Sequence, residues 1–195
     1  MTPTQRRVLA DLRERLRRDD AYDDESVTHE VWVRQRYACC FPAYRPARQA
    51  TVRAAWHEAG HAVAALAVGA RFSSASIHHS RDSEGRVHRV QGAAGHGFVV
   101  DAAGQIAERL RDWTMLTSDD ELRAWLSGWR RDGGDARRFR RSIGQRFAGD
   151  EAAAWRYAET LLTPLRPKIR DVARALLIHP RPLRYDLVKA LSDSR

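Results

Sequence analysis

The 195-residue chain is 43% hydrophobic, with six tryptophans and a net charge of +9; this excludes a disordered polypeptide and suits one compact domain with some terminal elaboration. No run approaches about eighteen consecutive apolar residues, and the arginine-rich start has no apolar stretch behind it, so neither a membrane span nor a signal peptide is expected and the reading is a soluble, cytoplasmic protein. The positive balance suits an acidic or anionic partner and acts on encounter and solubility more than on fold.

In chain order, Thr4 to Arg18 places Val8, Leu9, Leu12 and Leu16 on one helical face, with arginines elsewhere. Asp19 to Ser26 is acidic and lacks apolar spacing, so residues 1–26 are expected to form an amphipathic helix and a linker, with 27–195 as a single domain. Residues 27–44 mix aromatics, valines and arginines without a clear period. Within them Cys39 and Cys40 are adjacent and the only cysteines, which rules out a disulfide framework or a zinc-ribbon spacing and suggests two small buried thiols.

From Ala47 to Val68 no proline interrupts, Pro46 suits a helix start and Gly69 a stop. Val52, Trp56, Ala59, Val63 and Leu66 recur at helical spacing as a core-facing stripe. His57-Glu58-Ala59-Gly60-His61 lies on this helix, with both histidines beside the stripe. Residues four apart share a face, so the two imidazoles can reach one ion while a carboxylate stands next to it. Those residue types suit zinc hydrolysis. Neutral imidazole nitrogen is a good Zn²⁺ ligand, a catalytic site keeps one position for water, and Glu58 as general base takes that water's proton. Because imidazoles must be neutral to ligate, affinity is expected to fall below the histidine titration range.

Arg71 to His79 and Gly85 to Val90 flank the polar stretch 80–84, which reads as a hairpin. Its edge could receive an extended substrate by strand addition, or simply face solvent. Gly92 to Gly97 is a glycine-rich loop. Helices are expected over Phe98 to Trp113, over Ser118 to Trp129 with a Ser118/Glu121 capping box, from Asp135 through Phe139 and Ile143 after the break at 131–134, over Glu151 to Leu162 and Lys168 to Leu177, and around Leu187 to Leu191. The expected fold is mainly α with one small β-hairpin, a zincin-like metallopeptidase helical domain. His78, His79, His88 and His96 are candidates for stabilising an oxyanion. The arginine groups at 6–18 and 137–141 sit in no DNA-reading motif, which leaves nucleic acid the weaker partner class beside a peptide or protein substrate.

Ala64 and Ala67 stand where a metzincin needs glycine and a third histidine, which excludes that class. Glu84, near the spacing of a thermolysin-type third ligand, falls in the expected turn. The run from His57 through Ala70, followed by Ala75-Ser76-Ile77, resembles the peptidase domain of the FtsH family of ATP-dependent zinc proteases. Ala102 to Leu110 is similar to that family's next helix, with its small residues and Ala-Glu pair, and Ala173 to Leu191 to its closing segment. The resemblance implies a metalloendopeptidase whose third zinc ligand is an aspartate in a short loop. Gly134-Asp135 matches that loop, with Thr117-Ser118-Asp119-Asp120 as rival; Asp135 is preferred because two glycines precede it and a helix follows. The sequence holds no ATPase module with a phosphate-binding loop and no membrane anchor, so ATP-driven proteolysis would need a separate ATPase partner.

Overall fold

A computed structural model describes residues 2–20, 49–77, 85–129, 133–179 and 181–193. The thiols Cys39 and Cys40, the unassigned stretch 27–44, most of the acidic linker, the hairpin turn, His78 and His79 lie outside the described residues. The chain is mainly helical with a small antiparallel sheet of three strands.

Helix α1 (Pro3–Asp20) runs two residues past the expected end, so Asp19 and Asp20 belong to the helix and not to the linker. It buries Leu9 and Leu12, and it packs on α7 (Arg166–Ile178) and α8 (Tyr185–Ser192), where Arg13 Nη2 donates to the Ala190 carbonyl at 2.8 Å. The N-terminal helix is thus part of the core of the same unit.

Helix α2 (Gln49–Ala67) carries the histidine pair through the middle of the domain. Its alanines 55, 59, 62, 64 and 65 are fully buried, which leaves room for neighbours on nearly all sides. The closest is α3 (Gly97–Asp112). At their crossing a Cβ on Gly60 would stand 2.4 Å from the Ala103 carbonyl oxygen and 2.6 Å from Ala107 Cβ, so only glycine permits this approach. The stop at Gly69 is realised by a positive φ of 73°, with Ala70 N–H donating to the Ala65 carbonyl at 2.8 Å.

Strands β1 (Ser74–Ser76) and β2 (Arg86–His88) pair antiparallel, Ala75 opposite Val87. The expected two-stranded hairpin is completed by a third strand, β3 (Leu183–Arg184), which pairs with the other side of β1 and makes the order β2-β1-β3. Two residues next to Pro182 carry no readable alternation, and this strand exists because the chain leaving α7 returns alongside β1. β1 is therefore interior, and β2 is the outer strand on the side of the histidines.

Helices α4 (Asp119–Trp129), α5 (Gly133–Ile143) and α6 (Glu151–Leu162) follow. The capping box forms: Ser118 Oγ accepts from Glu121 N–H at 3.2 Å, and Glu121 Oε2 accepts from Ser118 N–H at 3.3 Å. Trp129, Phe139 and the fully buried Trp155 join α4, α5 and α6, with ring centroids 5.4 Å apart for Trp129–Phe139 and for Trp129–Trp155. This aromatic knot locks α5 through Phe139, one helical turn beyond Asp135. No helix among the described residues is long and apolar enough to cross a membrane.

Candidate metal centre

Three elements supply the centre: α2 gives His57 and His61, and α5 gives Asp135, with α3 supporting both from behind. His57 Nε2 lies 3.0 Å from His61 Nε2 and 3.0 Å from Asp135 Oδ2, and His61 Nε2 lies 3.3 Å from the same oxygen. Four ligands around Zn²⁺ at its usual bond lengths stand about 3.3 Å apart, so this triangle has the size such an ion requires. Among the described residues these three are the group able to hold one.

The other ring nitrogens decide what the three atoms present. His57 Nδ1 meets Glu108 Oε1 at 2.7 Å and His61 Nδ1 meets the Val100 carbonyl at 2.6 Å. Both partners are acceptors, so both Nδ1 atoms carry a proton, and in the neutral rings that a metal requires both Nε2 atoms offer lone pairs. Two lone pairs and a carboxylate oxygen then converge on one point, an arrangement that is repulsive until a cation or a proton sits there. Burial alone would lower the His57 imidazole, but hydrogen bonds to Asp135 and Glu108 and the nearby Glu58 charge outweigh it and push it up to about 10. Burial would raise Asp135, yet His57 and His61 hold its carboxyl well below the usual carboxylate range. A metal binding here therefore displaces a proton.

The supports are themselves held. Glu108 Oε2 accepts from Arg53 Nε. Against its burial, His57 and Arg53 keep the Glu108 carboxyl below its ordinary value. Asp135 Oδ1 accepts from Arg138 Nη2, which leaves Oδ2 for the histidine side. Arg138 Nε in turn donates to Asp101 Oδ1 at 3.2 Å, and Ser142 Oγ donates to Asp101 Oδ2 at 2.8 Å. Loss of such outer partners costs metal sites about 10–100-fold in affinity. Glu108→Gln is expected to weaken zinc binding within that range, as read by competition with a chromophoric chelator; unchanged affinity would remove Glu108 from the centre.

Glu58 is 6% exposed. Burial raises its carboxyl above the ordinary glutamate value, with His61 and His57 opposing, and the Val87 backbone N–H donates to it from the outer strand. A Cβ on Gly85 would fall 2.5 Å from Glu58 Cγ, so the strand lies directly over this side chain. Gly104 has the same relation to His57: an added Cβ would meet Cε1 and Nε2 of the ring at 2.5 Å. Gly104→Ala is expected to displace the ring and abolish tight zinc binding while leaving a folded helical protein, a result checked by metal content and circular dichroism. Retention of stoichiometric zinc would show that the ring can move aside.

The centre opens into a cleft of about 830 Å³ whose wall includes Glu58, Arg53, Arg86, Val87, Val90 and Arg138. His88 and His96 do not line it. His96 instead accepts from Arg146 Nη1 at 2.8 Å, beside Tyr157. Asp119 pairs with Arg156, and the side chain of Asp120 is 99% exposed, so neither joins the histidines. Asp135 is not the opening residue of its helix, which begins at Gly133; its carboxylate lies within the first turn and meets the imidazoles. Sequence reasoning gave no role to Glu108, Arg138, Asp101 or Gly104. Glu108 belongs to the Ala-Glu pair that carried the family resemblance, and Arg138 stands three residues after Asp135, the spacing of a helical ion pair. Comparisons with family models, curated proteins and solved structures return no match, so the geometry and chemistry of these side chains carry the functional reading.

Proposed function

We propose that this chain is a zinc-dependent metalloendopeptidase of the FtsH type. The observation that carries the reading is the convergence of His57 Nε2, His61 Nε2 and Asp135 Oδ2 within 3.3 Å of one another beside the buried Glu58. A Zn²⁺ ion held there supplies a water of lowered pKa and a Lewis acid for the scissile carbonyl.

The chain's own groups divide the remaining work. Glu108 and the Val100 carbonyl fix the rings with Nε2 inward, and Arg138 keeps Asp135 turned so that Oδ2 closes the set. Glu58 accepts the proton of the attacking water at its carboxylate and delivers it to the departing amine, acting as base and then as acid. Its raised proton affinity suits the second role as well as the first. The open cleft admits an extended peptide, and unfolding of any folded substrate falls to a separate ATPase partner. A purified preparation assayed for bound zinc and for casein hydrolysis, beside Glu58→Gln, tests the reading. Equal hydrolysis by both proteins removes it, and zinc without hydrolysis in either leaves a non-catalytic zinc module.

A further inference from the structure

We infer that the cleft selects peptides with an acidic side chain next to the cleaved bond, and that Arg86 is the residue that recognises it. This rests on the peptidase reading and adds the substrate class.

Three arginines line the cleft, Arg53, Arg86 and Arg138, and they are not equivalent. Arg53 is committed to Glu108. Arg138 is committed to Asp135 and Asp101. Arg86, by contrast, makes no hydrogen bond or ion pair among the described residues. It is exposed on β2, the outer strand, between Gly85, which lies over Glu58, and Val87, whose N–H donates to Glu58. Arg86 is therefore the direct chain neighbour, on both sides, of backbone that touches Glu58, and none of the described residues pairs with its guanidinium.

The charges of the cleft make the same point. Arg53 offsets Glu108, Arg138 offsets Asp101, and a divalent ion would offset Asp135 and Glu58 together. Among the described residues of the cleft, the charge left over is the positive one on Arg86. Val87 and Val90, half-buried and apolar, also line the cleft, so a peptide there meets apolar surface as well as the Arg86 cation. A guanidinium binds a carboxylate through two parallel N–H donors, a geometry that an amide or an ammonium cannot match. The net charge of +9 favours encounter with acidic chains before any contact is made.

The test uses the zinc-loaded full chain and a fluorogenic, alanine-rich peptide series in which one Asp, Asn or Lys is moved a position at a time across the cleaved bond. At one position kcat/KM is expected to favour Asp over Asn by about tenfold, the worth of one hydrogen bond to a charged group. Added salt should shrink that ratio. Arg86→Gln should bring the ratio to one, and Arg86→Glu should turn the preference toward Lys. An Asp preference that survives in Arg86→Gln, or its absence from the wild-type protein, overturns the assignment.

A second measurement separates this from failure of the peptidase reading. Peptide hydroxamates ending in Asp or Asn bind without being cleaved, and calorimetry reads their affinity. Tighter binding of the Asp compound that depends on Arg86, in a protein that cleaves nothing, keeps the recognition and discards the hydrolysis. Equal binding of the two compounds discards the recognition.

Discussion

Glu58→Gln is expected to lower peptide hydrolysis by about 10²–10⁴-fold, the usual contribution of a positioned general base, while leaving zinc content unchanged. The amide occupies the same volume beneath Gly85, so the fold has no reason to move. It can still accept from the Val87 N–H, which now donates to the carboxylate. What it cannot do is take a proton from water. Because burial disfavours the charged carboxylate at this position, the neutral replacement should fold at least as stably as the parent. The comparison is kcat/KM on a peptide, together with zinc by atomic absorption and a thermal unfolding curve for each protein. A variant that loses both zinc and activity would point to a structural part for Glu58 in the centre.

Asp135→Ala is expected to weaken zinc binding by more than the about 10–100-fold that follows loss of an outer partner, because it removes one of the three atoms that would hold the ion. Asp119→Ala and Asp120→Ala are the matched controls. Asp119 answers Arg156 and Asp120 faces solvent, so neither change should alter zinc affinity. The helix that carries Asp135 is held by Ala136 and Phe139, both fully buried, and should stay in place without the carboxylate. Chelator competition reads all three variants on one scale. Equal affinity in Asp135→Ala and the parent protein would mean that the two imidazoles find their third donor elsewhere.

The parts of this protein legible from sequence are those governed by short-range rules. The helix of the histidine pair shows because its apolar residues repeat at 3.6-residue spacing and glycine ends it at a positive φ. Ser118 and Glu121 announce their helix start by reciprocal capping across three residues. The histidine spacing itself is local, since i and i+4 share a face in any helix. In contrast, β3 was invisible, because two residues next to a proline carry no period, and its pairing with β1 joins segments more than a hundred positions apart. The start of α5 at Gly133 differs from the expected start at Asp135 as well: a double glycine reads as a break, yet here Gly134 leaves space for the Arg138 guanidinium, 3.0 Å from where its Cβ would lie.

The chain by itself therefore determined a mostly helical protein and one helix face presenting two imidazoles and a carboxylate. Only the tertiary structure decided that Asp135 faces those rings where Asp119 and Asp120 do not, that Glu108 and the Val100 carbonyl hold their Nδ1 atoms, and that Arg86 lines the cleft without a partner among the described residues. Periodicity and capping act over one or two turns of backbone and are written in neighbouring residues. The triangle of His57, His61 and Asp135 closes between residues 78 positions apart, and its geometry follows from how Gly60, Gly104 and the aromatic knot let their helices meet.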